Sequence, residues 1–253
     1  MKKLLTISLF IFTVFISQSA FSQSNKLSFA LYGGLSIPSS DLKGDVNFNI
    51  LNNPSGTVYN YSQKSGFNVG GALKYVLDRT GNLQVVGSLN YNGFSNTADT
   101  TEGSTGSENA KIKVNILSAN VGVQYNFMPN QKVNPYVNLD FTNNFISGST
   151  VVTTNGNTPP STDKSLKSAW RGGLQFGAGL DFALSPSIGV LVGANYNLAN
   201  LIGKDTVSST ATTEYALNDK EYSIAGGTVA AKNISYIQLY AGISIYMNRV
   251  IRK

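Results

Sequence analysis

Four charged residues stand out because each interrupts a stretch of otherwise uncharged, alternating residues: Lys74, Asp140, Arg171 and Asp181. Two carboxylates with two cationic groups could form a charged constriction that passes ions. They could instead form ion pairs that fill a packed interior, because charges removed from water need partners. We favour the ion pairs and expect Lys74 to pair with Asp140, Asp181 or both. The choice depends on the elements that position these residues.

Other chemistry is limited by what the chain lacks, since it contains neither histidine nor cysteine. The commonest general base and metal ligand is therefore missing, as are thiolate chemistry and a Ser-His-Asp triad. Asp99, Glu102 and Glu108 could suggest a calcium site, but their spacing matches no EF-hand loop. A solvated acidic loop explains them better, and the same applies to Asp219 and Glu221. We expect no catalytic residues, no metal and no cofactor.

The N-terminus has the features of an export signal. Lys2 and Lys3 precede an apolar run over residues 4–16, and small residues end at Ser22. This pattern predicts a signal peptide over residues 1–22, cleaved before Gln23, with one domain over residues 23–253. The apolar run is too short for a membrane-spanning helix of about 20 residues. The formal charge of +6 is spread along the chain, which does not indicate nucleic-acid binding.

Eight stretches alternate apolar and polar residues at a period of two, which is typical of strands. In the sixth stretch, Trp170, Leu174 and Phe176 share one parity, while Arg171 and Gln175 share the other. The predicted strands cover residues 26–37, 66–77, 83–94, 111–127, 135–146, 169–184, 188–201 and 233–247.

The two faces of these strands differ in a way that indicates which side points outward. The apolar parity carries no charge in any strand, counted from Leu117 in the fourth, whereas the opposite parity holds Lys74, Asp140, Arg171 and Asp181. A lysine or arginine facing lipid at the midplane would cost roughly 2–4 kcal/mol. A secreted soluble barrel or sandwich that binds an apolar ligand would instead have its apolar face inside and its polar face in contact with water. The polar parity is better explained as the lining of a narrow barrel lumen than as the outer surface of a soluble protein with an apolar ligand cavity.

Connections between the strands alternate in length. Short turns join the strands at residues 78–82, 129–134 and 185–187, and long polar segments cover residues 38–65, 95–110, 147–168 and 202–232. The predicted fold is an all-β, eight-stranded antiparallel up-and-down transmembrane β-barrel with a polar packed interior, short periplasmic turns and four long extracellular loops.

Two of the long loops show alternation of their own. Val46, Phe48, Ile50, Val58 and Tyr61 suggest that the first loop continues as a β-hairpin beyond the membrane. The last loop shows the same tendency at its apolar residues, which are Val207, Tyr215 and Tyr222. Exposed strand edges on such hairpins could recruit partners.

Aromatic residues cluster towards the strand ends and predict two interfacial girdles. The periplasmic girdle would contain Tyr75, Tyr125, Phe127 and Phe182, and the outer girdle Tyr91, Phe145, Trp170 and Tyr196. The fourth strand changes phase, because Ile112, Val114 and Ile116 have the opposite parity from Leu117 onward. Either a β-bulge near Ile116 restores the pattern, or the upper part of the strand lies above the membrane, where burial no longer determines which side chains point inward.

The strand pattern and the closing segment over residues 236–246 resemble the OmpA/OmpX-like family of eight-stranded outer-membrane β-barrel proteins. The resemblance implies a bacterial outer-membrane location, contact with outer-membrane lipid, and an insertion machinery that reads the C-terminal strand. The function expected is that of a non-enzymatic anchor at the cell surface, whose loops meet an unknown extracellular ligand or surface, or support the envelope. The alternative is a small porin-like pore for ions or small solutes.

Overall fold

The computed structural model describes residues 27–45, 60–102, 106–155, 162–206, 214–224 and 227–247. No helix in these segments is long and apolar enough to cross a membrane. The predicted signal peptide and Val46, Phe48, Ile50, Val58 and Val207 lie outside the described residues. The strands are β1 (Leu27–Ser40), β2 (Ser65–Val76), β3 (Leu83–Glu102), β4 (Gly106–Asn126), β5 (Val133–Asn155), β6 (Thr162–Ala183), β7 (Ile188–Ile202), β8 (Glu214–Tyr215), β9 (Tyr222–Ile224), β10 (Gly227–Val229) and β11 (Ile234–Tyr246).

Strands β1 to β7 and β11 form a closed antiparallel barrel, which confirms the predicted eight-stranded fold. Each strand pairs with its neighbour in the chain, and β11 closes the sheet against β1. Following paired residues around the barrel from Val137 returns to β5 at Ser147, ten positions further along the strand. A closed sheet needs this stagger because its strands tilt relative to the barrel axis.

The apolar face points outward and the polar face inward. Leu31, Leu89 and Val121 have exposed fractions of 61%, 63% and 54%, whereas Asn120 and Gln238 have 7% and 1%. Each inward residue follows an outward one, as the pleat of a strand requires. The barrel is therefore apolar outside and polar inside, as the alternation of apolar and polar residues predicts.

Two of the predicted long loops are instead largely strand. The β3–β4 ladder continues to the pair Glu102 and Gly106, and the β5–β6 ladder continues to Val152 and Thr162. The residues of these segments are mostly polar and show no apolar alternation. The sequence therefore does not indicate that they pair with a neighbouring strand. The prediction of polar loops over residues 95–110 and 147–168 is wrong in this respect.

The phase change in β4 is not caused by a β-bulge. Pairing of β4 with β3 and β5 continues without a register shift through Ile116 and Leu117. The bulge interpretation is therefore wrong, and the irregularity lies on β6, between the positions that face Ile146 and Gly148. Ile112, Val114 and Ile116 are buried inside the barrel, so burial still sets the face. The inward face changes from polar to apolar near one end of the barrel.

Candidate functional site

The lower part of the lumen is filled by polar side chains. Asp140 is buried and accepts hydrogen bonds from Gln175 Nε2 at 2.9 Å and Asn138 Nδ2 at 2.5 Å. Lys74 Nζ lies 5.0 Å from the centroid of the Tyr136 ring, and Lys74 and Asp140 line one cavity of about 40 Å³. A cavity of this size holds about three water molecules.

Asp181 belongs to a separate contact, since it accepts a hydrogen bond from the Tyr246 hydroxyl. The lumen therefore brings Lys74 and Asp140 to the same cavity and buries Asp181 as well. The pairing of Lys74 with Asp140 or Asp181 stays a prediction.

Tyrosines occupy space that glycines leave on neighbouring strands. Tyr136 Oη and Tyr240 Oη are 2.9 Å apart, and the rings of Tyr240 and Tyr32 have centroids 5.1 Å apart. A Cβ atom added at Gly179 would come within 2.5 Å of Tyr136 Oη, and one added at Gly193 within 2.5 Å of Tyr240 Oη. Glycines on the inward face thus leave room for the Tyr136 and Tyr240 rings to lie over neighbouring strands beside the cavity.

An apolar cluster fills the opposite end of the lumen. We call it the mouth cluster, and its buried members are Leu42, Phe94, Val114, Ile116, Ile146, Leu166, Ala199, Leu217, Ile234 and Tyr236. Leu42 follows β1 and Leu217 follows β8, so both connections fold into the mouth instead of remaining in solvent. The sequence did not predict this cluster, although the inward parity of Ile112, Val114 and Ile116 was its signal.

Arg171 lies beside the mouth cluster and holds the β7–β11 connection in place. Its Nε and Nη2 donate to the two oxygens of Asp219, both at 2.8 Å, and Nη2 also donates to Asp205 Oδ1 at 2.5 Å. Its Nη1 donates to the Trp170 carbonyl at 2.7 Å. Bidentate charge-assisted bonds of this type are among the strongest in proteins. Arg171 is thus placed with loop carboxylates, away from the cavity of Lys74 and Asp140.

Asp219 is fully buried, so its prediction as a solvated loop residue is wrong. It also accepts hydrogen bonds from Asn200 Nδ2 at 2.8 Å and from the Asp205 amide at 3.1 Å. Burial by itself would raise the pKa of Asp219, but the bonds from Arg171 and Asn200 outweigh it and lower the pKa. Arg171 and Asp219 are 48 positions apart in the chain, and no local spacing could show that they meet.

The first long connection is joined to the last one across the mouth. The Tyr61 hydroxyl donates to the Leu217 carbonyl at 3.0 Å, and the Asn233 amide donates to Asp41 Oδ2 at 2.7 Å. Lys232 Nζ lies 5.5 Å from the centroid of the Tyr61 ring. Burial lowers the pKa of Lys232, although Asp41 and Asp219 act in the opposite direction.

The remaining acidic residues of the predicted calcium alternative are in the β3–β4 hairpin. Asn109 Nδ2 donates to Asp99, and the side chains of Glu102 and Glu108 are outside the described set. Within the described segments, no group of three histidine, cysteine, aspartate or glutamate residues could hold a metal ion. Glu221 is exposed.

The aromatic residues predicted for the two girdles lie on the outer wall. Leu117 pairs with Tyr91 and Phe145, and Phe145 pairs with Trp170, which makes one row across β3 to β6. Tyr196 pairs with Phe176 and Ile237 instead. Towards the opposite rim, Tyr125 and Phe127 contact edge to face with centroids 5.2 Å apart, Tyr75 pairs with Val85 and Leu27, and Phe182 pairs with Val133 and Val190.

Comparison with known proteins agrees with this architecture. Residues 8–218 match the family model described as "Outer membrane protein beta-barrel domain". The chain belongs to this outer-membrane β-barrel family. Membership of the outer-membrane β-barrel family implies a location in the bacterial outer membrane. Comparison with curated proteins gives no match.

Solved structures similar to this outer-membrane barrel include three from different bacteria. Neisserial surface protein A is 16% identical, with 87% of this chain and 96% of that chain covered and a TM-score of 0.45. Ail, the attachment invasion locus protein of Yersinia pestis, is 16% identical, with 88% and 100% covered and a TM-score of 0.37. OprG from Pseudomonas aeruginosa is 14% identical, with 87% and 96% covered and a TM-score of 0.42.

Proposed function

We propose that the protein is a non-enzymatic anchor in the outer membrane that presents structured loops at the cell surface. The barrel holds the chain in lipid, and the ends of β3 to β6 form two hairpins that extend past the outer aromatic row. The partner met by these hairpins would be an extracellular ligand or surface. The absence of histidine agrees with a role that needs no catalysis.

The observation that carries this proposal is the closed lumen. Among the described residues, the mouth cluster fills one end, the Tyr32, Tyr136 and Tyr240 rings occupy the middle, and polar side chains there line a cavity of about 40 Å³. A continuous aqueous path is what a pore requires. The closed lumen therefore supports the anchor over the porin-like alternative.

The anchor role predicts that the folded protein does not conduct. We expect no stable stepwise currents when the full chain is reconstituted in planar bilayers at 1 M KCl. The matched comparison is Phe94→Ala, which removes a fully buried ring from the mouth cluster. Steady unitary currents from the unmodified protein, larger in Phe94→Ala and reduced when the lumen is blocked, would contradict the anchor role and support a pore.

Surface presentation can be tested because the chain has no cysteine. Thr153 is exposed near the end of β5, and Ser187 is exposed in the short turn before β7. We expect Thr153→Cys to react with a membrane-impermeant maleimide on intact cells, and Ser187→Cys to react only after the outer membrane is opened. Labelling in the reverse order would show that the hairpins face the periplasm.

We also propose the route by which the barrel reaches the membrane. The predicted signal peptide directs export, and the insertion machinery recognises the closing strand. In β11, Leu239, Ile243 and Ile245 point outward, and Tyr240 and Tyr246 point inward. An alternating strand of this kind is available for pairing until it closes on β1, which supports recognition by strand addition.

A further inference from the structure

We propose that a cationic site on the outer wall, formed by Lys113 of β4 and Lys167 of β6, binds the phosphate headgroup of an outer-leaflet lipid. The proposal rests on the orientation given under the proposed function, and it names a specific lipid contact for that surface. Both lysine side chains are exposed.

Register places the two lysines on either side of small hydroxyl residues. Lys113 pairs with Ser149 of β5, and the irregularity in β6 places Lys167 and Ser168 opposite Ser147. Two strand spacings separate β4 from β6, so the two lysine-bearing backbones are about 10 Å apart. Ser147 and Ser149 face outward between them, because Ile146 and Thr150 are buried on the inner side. The result, which we call the groove, is a strip of the outer wall along β5 in which the Ser147 and Ser149 hydroxyls lie between the two lysines.

The apolar wall directly beneath the groove fixes its depth in the membrane. Leu117, Phe145 and Trp170 are paired neighbours on β4, β5 and β6, with exposed fractions of 49%, 52% and 46%. Lys113 is four positions beyond Leu117, which is about 13 Å along a tilted strand. A lysine side chain on this path reaches back towards the boundary of the apolar wall. A lipid with its acyl chain against Phe145 therefore has its headgroup next to the two ammonium groups.

Charge in this region favours an anion. Within the described segments, neither Lys113 nor Lys167 forms an ion pair with a carboxylate. Lys111 adds a third exposed cation on the same face. The nearest carboxylates on that face, Asp163 in the row of Lys111 and Asp99 one outward position further, both lie beyond the groove. Ammonium groups near a membrane surface attract anionic headgroups. The chemistry of the groove thus matches a phosphomonoester above an acyl chain.

The only tryptophan of the chain, Trp170, reports directly on this site. The full chain is folded into nanodiscs of phosphatidylcholine that contain a small fraction of lipid with brominated acyl chains, either phosphatidic acid or phosphatidylcholine. Bromine quenches tryptophan on contact, so the quenching ratio gives the relative affinity of the two headgroups near Trp170. We expect phosphatidic acid to be preferred by at least about fivefold, the factor supplied by one lysine at an anionic surface.

Two variants locate the preference. Lys113→Gln with Lys167→Gln should reduce the ratio to about one. Lys43→Gln with Lys132→Gln removes the same charge from exposed positions outside the groove and should leave the ratio unchanged. Raising the salt concentration from 0.1 M to 1 M should weaken the preference in the unmodified protein.

Several results would overturn the proposal. Equal quenching by both brominated lipids in the unmodified protein would show that the groove does not select phosphate. An equal decrease of the quenching ratio in both double variants would assign the preference for phosphatidic acid to net charge alone. Binding of a soluble polyanion such as dextran sulfate through Lys113 and Lys167, without any preference among lipids, would assign the site to an extracellular polymer. Labelling of Thr153→Cys on the periplasmic side would instead overturn the proposed orientation, independently of the lipid measurement.

Discussion

Replacing Arg171 with methionine will loosen the β7–β11 connection from the barrel mouth. The change leaves the fully buried Asp219 carboxylate without the guanidinium that donates to both of its oxygens. Breaking a buried ion pair by removing one partner costs about 3–5 kcal/mol. Amide hydrogen exchange at Lys220 and Lys232, whose N–H groups bond to the Asp205 and Asp219 carbonyls, should therefore accelerate by about two to four orders of magnitude.

The internal control for this experiment is the Leu77 amide. It bonds to the Leu83 carbonyl in the short β2–β3 turn at the other rim, and its exchange should not change. Replacing Arg171 with methionine and Asp219 with leucine together should restore most of the protection, because no buried charge remains. Unchanged exchange at Lys220 in Arg171→Met would show that the ion pair does not hold the connection.

The pH dependence of the same variant follows from the Asp219 carboxyl. In the unmodified protein the folded pKa of Asp219 is lowered, so its contribution is complete above the unfolded pKa of about 3.9 and is lost as pH falls through the lower folded value. Without Arg171, burial dominates and the folded pKa should rise above the unfolded value. The exchange defect of Arg171→Met should then grow as pH rises above about 4 and be smallest below it.

Replacing Val121 with arginine should destabilise the barrel in lipid vesicles by about 2–4 kcal/mol. Val121 is on β4 with its side chain 54% exposed, and its partners Gly87 and Phe141 are on the same outer face. In a protein surrounded by water, an exposed valine could be replaced at a cost within about 0.5 kcal/mol. Denaturant unfolding of the protein in vesicles measures the difference.

The matched control is Thr153→Arg on β5. Thr153 is also exposed, but it lies in the hairpin beyond the outer aromatic row, where the arginine meets water. We expect its free energy of unfolding to stay within about 0.5 kcal/mol of the unmodified protein. Equal effects of the two arginines, in either direction, would be incompatible with lipid around Val121.

The barrel could be predicted from the sequence because lipid imposes a simple rule on every strand. Each outward position in the membrane must be apolar and each strand must alternate, so the period alone identifies strands such as β2, β7 and β11. The same rule does not apply outside the membrane. The ends of β3 and β6, with Thr100 or Ser165 in place of apolar alternation, are paired by their neighbours, and their pairing left no pattern in the sequence.

The site at the mouth could be predicted only in part for a different reason. Arg171 was recognised because it interrupts an uncharged strand, but its partner is in a connection that has no periodicity. Asp219 becomes buried only because Leu217 and Leu42 fill the mouth around it. Contacts of this type depend on how a long connection folds back, and spacing along the chain carries no record of that path.

The most direct test of a barrel with its apolar face in lipid uses Trp170 without any substitution. Its side chain is 46% exposed on the outer wall next to Phe145, and the chain has no other tryptophan. In vesicles of phosphatidylcholine brominated near the headgroup end of the acyl chain, we expect strong quenching of its fluorescence, with weaker quenching when bromine is near the chain terminus. Trp170 fluorescence that brominated lipid does not quench at any depth, but that aqueous iodide quenches strongly, would contradict the membrane barrel.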